Sequence, residues 1–341
     1  MSSGLAGKSV LVTGGSGSIG SEIVVQALRQ DARRVVVFSR DEVKHFMMRK
    51  RFSDERLQTV VGDVRDLRST EQIFVNFDID LIYHAAAMKH VVMCEDFPME
   101  SVRTNVLGTQ NVVDLALKYQ VPRMITISTD KAAYPSNVMG ACKFIAERMA
   151  TNANRLSKAG QVFSCVRFGN VANSRGSVIP VFVEDLLNRR PLQVSDRDVT
   201  RFVMAISDAV KLVIGATEIA QGGEIFILKM KAFKLGDLVD VMVERIGPRL
   251  GVQKGGVRVH LTGLMAGEKL HEDLVSDAES PRLHELHDMY VLLPEGESTT
   301  RYPGIVKAKL KRYSSSDVEL VSAEELEKLV CAHLDERPLH T

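Results

Sequence analysis

The run Thr13-Gly-Gly-Ser-Gly-Ser-Ile-Gly20 constrains this chain more than any other segment. It sets Gly14, Gly17 and Gly20 at three-residue spacing, directly after the apolar strand pattern Val10-Leu-Val-Thr13 and directly before a helical one. On that helix Ile23, Val24, Ala27 and Leu28 share a face. Glycine tolerates positive φ in such a turn and lets backbone N–H groups close on a phosphate at the helix N-terminus. A glycine triplet alone is weak evidence. Flanked by a strand and a helix, it reads as the pyrophosphate turn of a dinucleotide-binding unit, with Thr13, Ser16, Ser18 and Ile19 lining it.

The rest of the first half repeats the unit. Val35–Phe38, Thr59–Val61, Leu81–His84, Arg123–Ile127 and Phe163–Arg167 read as buried parallel strands. Amphipathic stretches separate them, including a long helix marked by Val102, Val106, Thr109, Val112, Val113 and Ala116. This alternation predicts a doubly wound α/β sheet of Rossmann type. Past residue 170 the rhythm breaks, punctuated by Gly176, Pro180, Pro191, Gly222 and Gly223. At 341 residues the chain exceeds the size at which one core keeps growing. We therefore expect a cofactor-binding Rossmann domain from residues 1–169 plus about 200–229. A smaller C-terminal α/β substrate-binding lobe takes about 170–199 and 230–341.

The end of the second strand bears on cofactor choice. An acidic residue there grips a ribose 2′-hydroxyl, as in NAD sites. Here the strand ends Phe38-Ser39-Arg40-Asp41, with Lys44 one turn on. Arg40 and Ser39 suit a 2′-phosphate, so NADP is the expected cofactor, with Asp41 leaving NAD open. Asp63 and Val64, after the third strand, are placed to meet the adenine.

Bulk properties exclude other classes. Lys and Arg total 44 against 43 Asp and Glu, which argues against nucleic-acid binding. Cys94, Cys142, Cys165 and Cys331 form no Cys-x-x-Cys pair and the histidines no ligand spacing, so neither a disulfide framework nor a metal is expected. No apolar run approaches the ~20 residues that span a bilayer, and a soluble cytoplasmic protein with reduced thiols is the expectation.

Several further segments resemble, in order, the bacterial sugar-nucleotide dehydratases of polysaccharide biosynthesis, within the extended short-chain dehydrogenase/reductase superfamily. They are His84-Ala-Ala-Ala-Met-Lys-His-Val91, Cys94–Glu100, Thr104–Thr109, Ser128-Thr-Asp-Lys-Ala-Ala-Tyr-Pro135, Ser174-Arg-Gly-Ser-Val-Ile-Pro180, Thr200-Arg-Phe202 and Gly267-Glu-Lys-Leu-His-Glu272. The resemblance is strongest to UDP-N-acetylglucosamine 4,6-dehydratases that invert C5. It implies transient oxidation at C4, loss of water across C5 and C6, and return of the hydride to C6, with epimerisation at C3 left open. By the same resemblance Lys131 is the base for the C5 proton and Asp130 the acid for the C6 hydroxyl. Lys131 must then be neutral and Asp130 protonated, so the pair should titrate as a unit. Ala85, Ala87, Lys89, Asn105, Ser128 and Lys143 are implied cofactor contacts. Lys89, Asn170, Ser177, Val178, Ile179, Pro180, Val181, Arg201, Arg258 and Glu268 are the expected contacts to a UDP-sugar. Relatives of this type assemble as dimers or hexamers.

Two positions depart from the pattern. The superfamily's Tyr-x-x-x-Lys stands here as Met139-Gly-Ala-Cys-Lys143, which removes the usual C4 acid/base. The capsular dehydratases share this methionine, so it points to them and not to inactivity. Thr129, a water held by Ser128, Thr129 and Lys131, or Tyr134 are the candidate replacements. The second departure is Met265, where relatives carry arginine. Diphosphate binding would then lean on Arg201, Arg258 or another basic group. The alternatives are a C5-retaining dehydratase, a catalytically silent NADP-binding protein, and a simple 4-epimerase or reductase.

Overall fold

The computed structural model describes residues 4–297 and 299–336, so the outermost ends of the two expected domain spans, 1–3 and 337–341, lie outside the described residues. The chain opens with β1 (Ser9–Thr13), α1 (Ser18–Arg29), β2 (Arg34–Ser39), α2 (Glu42–Phe52), β3 (Leu57–Val61), α3 (Leu67–Asn76) and β4 (Leu81–His84). Next come α4 (Val91–Asp96), α5 (Pro98–Ser101), a π-helical turn (Val102–Leu107), α6 (Gly108–Lys118), β5 (Arg123–Ile127), α7 (Val138–Leu156) and β6 (Val162–Arg167). The central strands are predominantly apolar because helices cover both faces; β1 is buried at every position. Side-chain caps start α2, α3 and α7: Asp41 accepts from Lys44 N, Asp66 from Arg68 N and Ser69 N, and Asn137 from Gly140 N.

The second half continues with β7 (Asn170–Val171), α8 (Val178–Leu187), β8 (Leu192–Val194), β9 (Thr200–Met204), α9 (Ile206–Ile219), β10 (Ile225–Leu228), β11 (Lys231–Lys234) and α10 (Leu235–Val241). Six short strands follow: β12 (Val259–Leu261), β13 (Asp273–Val275), β14 (Leu283–Glu285), β15 (Met289–Leu292), β16 (Val306–Lys307) and β17 (Tyr313–Ser314). Among the described residues the main sheet runs β3-β2-β1-β4-β5-β6-β10-β15-β14-β16. Its first seven strands are parallel, and the order reverses between β1 and β4, where open α/β sheets bind ligands beyond the strand ends. The predicted doubly wound Rossmann architecture is the one observed.

The sheet departs from the expected division at one edge. β15, β14 and β16 extend it in that order, each antiparallel to the strand before it, with Ile225 of β10 opposite Leu292 and Leu228 opposite Met289 of β15. The apolar face of β10 needs cover, and Leu283, Val291 and Leu292 bury against it. Strand β9 instead sits between β7 and β11 in a separate three-stranded sheet. That small sheet, α8, β8, α10 and the helix Ala323–Glu336 enclose a second core around Phe182, Val194, Phe233, Leu238, Met242 and Val330. Strand β13 then returns to pack against the turn Asp130–Ala132 after β5.

Candidate active site

The phosphate turn has the predicted geometry. Gly14 sits at φ +67°, and a Cβ there would lie 2.7 Å from the Ala86 backbone. A Cβ on Gly20 would lie 2.4 Å from the Gly14 carbonyl oxygen, so only glycine lets α1 approach β1 this closely. Gly17 N–H closes the turn on Gly14 O at 2.8 Å. The result is a bare backbone cradle at a helix N-terminus, which fits a dinucleotide pyrophosphate.

Other expected cofactor residues are committed to the frame around that cradle. Thr13 Oγ1 bonds His84 Nδ1 at 2.7 Å, and His84 Nε2 bonds Thr109 Oγ1 at 2.9 Å. Burial and then the Lys143 charge push the His84 imidazole down to about 3, so it stays neutral. Asn105 accepts from Met88 N at 2.7 Å and donates to Met88 O at 3.0 Å, clamping the loop that carries Ala85, Ala87 and Lys89. Val64 holds Asn111 through its carbonyl.

At the far end of β2 each basic group already has a carboxylate. Lys44 Nζ lies 2.5 Å from Asp41, Arg40 lies 3.6 Å from Asp63, and Arg65 reaches Asp63 at 2.6 Å. Ser39 Oγ is shared between Ser16 Oγ at 2.7 Å and His45 Nε2 at 2.5 Å. The charge expected to receive a 2′-phosphate is thus neutralised.

The centre of the site is the end of β5. Asp130 is fully enclosed; its Oδ1 accepts from Thr129 Oγ1 at 2.7 Å, Lys131 N at 2.9 Å and Lys131 Nζ at 3.0 Å. Its Oδ2 is buried without a partner and faces Gly169, where an added Cβ would come within 3.3 Å. Lys131 Nζ also lies 3.3 Å from Glu272 Oε1, and Glu272 Oε2 is likewise buried and unpaired. Burial pushes the Lys131 ammonium down, but the Asp130 and Glu272 carboxylates override it and hold it above the usual lysine range. The same burial raises Glu272 despite its positive neighbour. The two carboxylates favour the ammonium over the neutral amine, and the sequence reading left Glu272 out of that charge count. Its presence at the end of the Gly267–Glu272 segment was the available signal.

Beside this pair, Met139 is buried and Lys143 Nζ donates to Ile127 O at 3.0 Å. Burial lowers the Lys143 amine to about 8. Thr129 spends its hydroxyl on Asp130, whereas Ser128 Oγ is buried and unpartnered. Tyr134 exchanges hydrogen bonds with Asp277, away from Lys131. Cys94 is fully enclosed, and burial pushes its thiol up.

The expected substrate contacts divide. Asn170 Oδ1 and Ser177 Oγ are buried without partners, and Val178, Ile179, Pro180 and Val181 form the first turn of α8. Arg201 and Glu268, expected to meet different parts of a nucleotide, bond each other at 2.9 Å. Arg201 Nε also lies 4.0 Å from Glu272. Arg258 is exposed just before β12. Arg175, given no role in the sequence reading, donates from its backbone N–H to Ser18 Oγ at 3.1 Å and from its guanidinium to Ser16 O.

The model of a family described as polysaccharide biosynthesis protein matches residues 10–294. An uncharacterized membrane protein of Methanocaldococcus jannaschii is 41% identical over 324 residues, 95% of each chain. A UDP-glucose 4-epimerase of Rickettsia canadensis is 34% identical over 333 residues, again 95% of each. Among solved structures, Pen from Bacillus thuringiensis is 37% identical, with a TM-score of 0.88 over 97% of this chain and 98% of that one. Among the described residues no helix is long and apolar enough to cross a membrane.

The cofactor expectation needs correction. DesIV, a dTDP-glucose 4,6-dehydratase from Streptomyces venezuelae, is 21% identical with a TM-score of 0.72 over 96% of this chain and 97% of that one, and its structure holds NAD. The UDP-glucose 4-epimerase of Thermus thermophilus, 21% identical with a TM-score of 0.64 over 76% and 88%, also holds NAD. NADP is overturned by these structures, and the carboxylates on Arg40 and Lys44 give the physical reason. The chain belongs to the polysaccharide biosynthesis protein family, as a Rossmann-fold, NAD(P)-dependent sugar-nucleotide epimerase/dehydratase.

Proposed function

We propose that the protein is a UDP-N-acetylglucosamine 4,6-dehydratase that inverts C5 and uses NAD. The observation that carries this reading is the buried Asp130–Lys131–Glu272 cluster at the end of β5. A site that only moved hydride at C4 would have no need of a lysine and a carboxyl at this depth, whereas elimination needs a base at C5 and an acid at C6.

When bound, the nicotinamide supplies reversible hydride transfer with the sugar. The C4 ketone acidifies C5–H. Shifting one proton from Lys131 Nζ to Asp130, across 3.0 Å, produces the neutral amine and the carboxylic acid together. Lys131 then takes the C5 proton while Asp130 protonates the departing C6 hydroxyl as water. Both groups finish as the ammonium and carboxylate they began as, so the elimination resets the pair. Glu272 holds the ammonium between turnovers and sets how readily it gives up its proton. Ser128, whose hydroxyl is buried and unpartnered, supports a relay in place of the missing tyrosine, taking the proton of the C4 hydroxyl as it passes its own on to solvent water. Inversion is supported by the resemblance of the Cys94–Glu100 and Ala132–Pro135 segments. The hydroxyls of the NAD ribose suit the carboxylate-rich end of β2.

A second reading, a C4 epimerase, is favoured by the name of the Rickettsia relative; the buried Met139 counts against it. Incubation with UDP-N-acetylglucosamine in heavy water, followed by NMR, separates the two. A 4-keto-6-deoxy sugar with deuterium at an inverted C5 is expected. A C4 epimer retaining its C6 hydroxyl would establish the second reading, and unchanged sugar with bound NAD would defeat both.

A further inference from the structure

The loop between β7 and α8 leaves the second lobe and crosses onto the phosphate turn. Gly176, at φ +72°, lets it pass over His90; a Cβ there would meet the imidazole at 2.4 Å. Arg175 lands where a cation is least welcome. Its guanidinium bonds Ser16 O inside the glycine turn, and its backbone bonds Ser18 Oγ at the first residue of α1. That helix end carries positive partial charge. Lys89 stands close enough that, after burial, the Arg175 charge also pushes its ammonium down. No ion pair offsets this within the described residues. Asp41, a carboxylate that feels Arg175, is already bonded to Lys44 at 2.5 Å.

Two cationic side chains and a helix N-terminus converging without an acidic partner amount to a site for a doubly charged anion. We infer that Arg175 is a diphosphate ligand, closing on the cofactor's pyrophosphate from the second lobe and latching that lobe to the Rossmann domain. The chemistry suits any nucleoside diphosphate, the sugar substrate's included. The bond to Ser16 O, within the cradle itself, assigns it to the cofactor. The inference rests on the nicotinamide cofactor and not on the sugar reaction.

Arg175→Met keeps the length of an exposed side chain and removes its charge; Arg175→Lys keeps a point charge. Calorimetric titration of the full chain with NAD, ADP-ribose, adenosine and UDP gives a four-way test. Losing charge-assisted hydrogen bonds should weaken NAD and ADP-ribose by about ten- to a hundredfold. Arg175→Met should leave adenosine and UDP unchanged, and Arg175→Lys should recover part of the loss. Unchanged NAD affinity would overturn the assignment. So would a loss confined to UDP, which would move Arg175 to the substrate, or an equal loss for adenosine, which would make its role structural.

Discussion

Glu272 Oε1 lies 3.3 Å from Lys131 Nζ, so one buried ammonium is shared between Glu272 and Asp130. Burial alone would drive the proton off Lys131; the two carboxylates keep it on. Glu272→Gln removes one of those charges while keeping the shape. The Lys131 pKa then falls, and the alkaline limb of the kcat/KM profile, where the pair loses its one proton, should move to lower pH by about one unit. A pH–rate series on both proteins reads this directly, and an unmoved limb would remove Glu272 from the cluster's chemistry.

Lys131→Met addresses the base itself. Without an amine at this position, C5–H removal loses its acceptor, and kcat should fall by roughly a hundred- to ten-thousandfold. NAD affinity should stay as it is, because Lys131 bonds Asp130 and Glu272 and not the phosphate turn. Single-turnover assays with parallel NAD titration check both halves. Ordinary turnover in this variant would sink the proposed base.

How much of this was legible in the sequence depends on the range of each interaction. The β1–turn–α1 unit was readable because its constraint is local: Gly14 and Gly20 meet atoms within a few residues or on the adjoining strand loop. The central strands were readable because full burial leaves an unbroken apolar run. Glu272 was hidden because nothing near Lys131 in the chain announces a carboxylate arriving on β13's side of the site. The Arg201–Glu268 pair shows the same limit: both residues were singled out, but only the fold reveals that each is the other's partner. β14 and β16 were missed because two or three residues carry no periodicity, and their place is set by pairing outward from β15.

Cofactor preference follows from the acid–base pairs beyond β2. A 2′-phosphate brought to Arg40 and Lys44 would also meet Asp63 and Asp41, which already occupy them. NAD should therefore bind more tightly than NADP by about tenfold or more, equivalent to ~1.4 kcal/mol. Asp41→Asn, which can still cap α2, frees Lys44 and should narrow that gap. Isothermal titration with both cofactors decides it; a preference for NADP in the unaltered protein would contradict the charge argument.

Arg167 of β6 is a fully buried charge. It bonds Glu147 of α7 at 2.6 Å and Glu279, beyond β13, at 2.9 Å. Its Nη1 also donates to Leu274 O at 2.8 Å, tying the β13 segment to the Rossmann sheet. Arg167→Met would strip Glu147 of its guanidinium and leave Glu279 with the Ser276 hydrogen bonds and Arg148, 3.7 Å away, and should destabilise the protein by about 3–5 kcal/mol. The pH dependence gives a sharper sign. Burial pushes the Glu279 carboxyl up, but Arg167 and the Ser276 hydrogen bonds override it and hold it below the usual range. In the unaltered protein this group's contribution is thus present above the unfolded carboxylate pKa and lost as pH falls through the lower folded value. Without the guanidinium, burial dominates and the folded pKa rises. The contribution is then greatest in acid and lost as pH climbs through that raised value. Urea unfolding from about pH 2 to about pH 8 should show the unaltered protein losing stability at the acid end and the variant losing it as pH climbs, and parallel curves would mean the triad does not govern how β6, α7 and the β13 segment hold together.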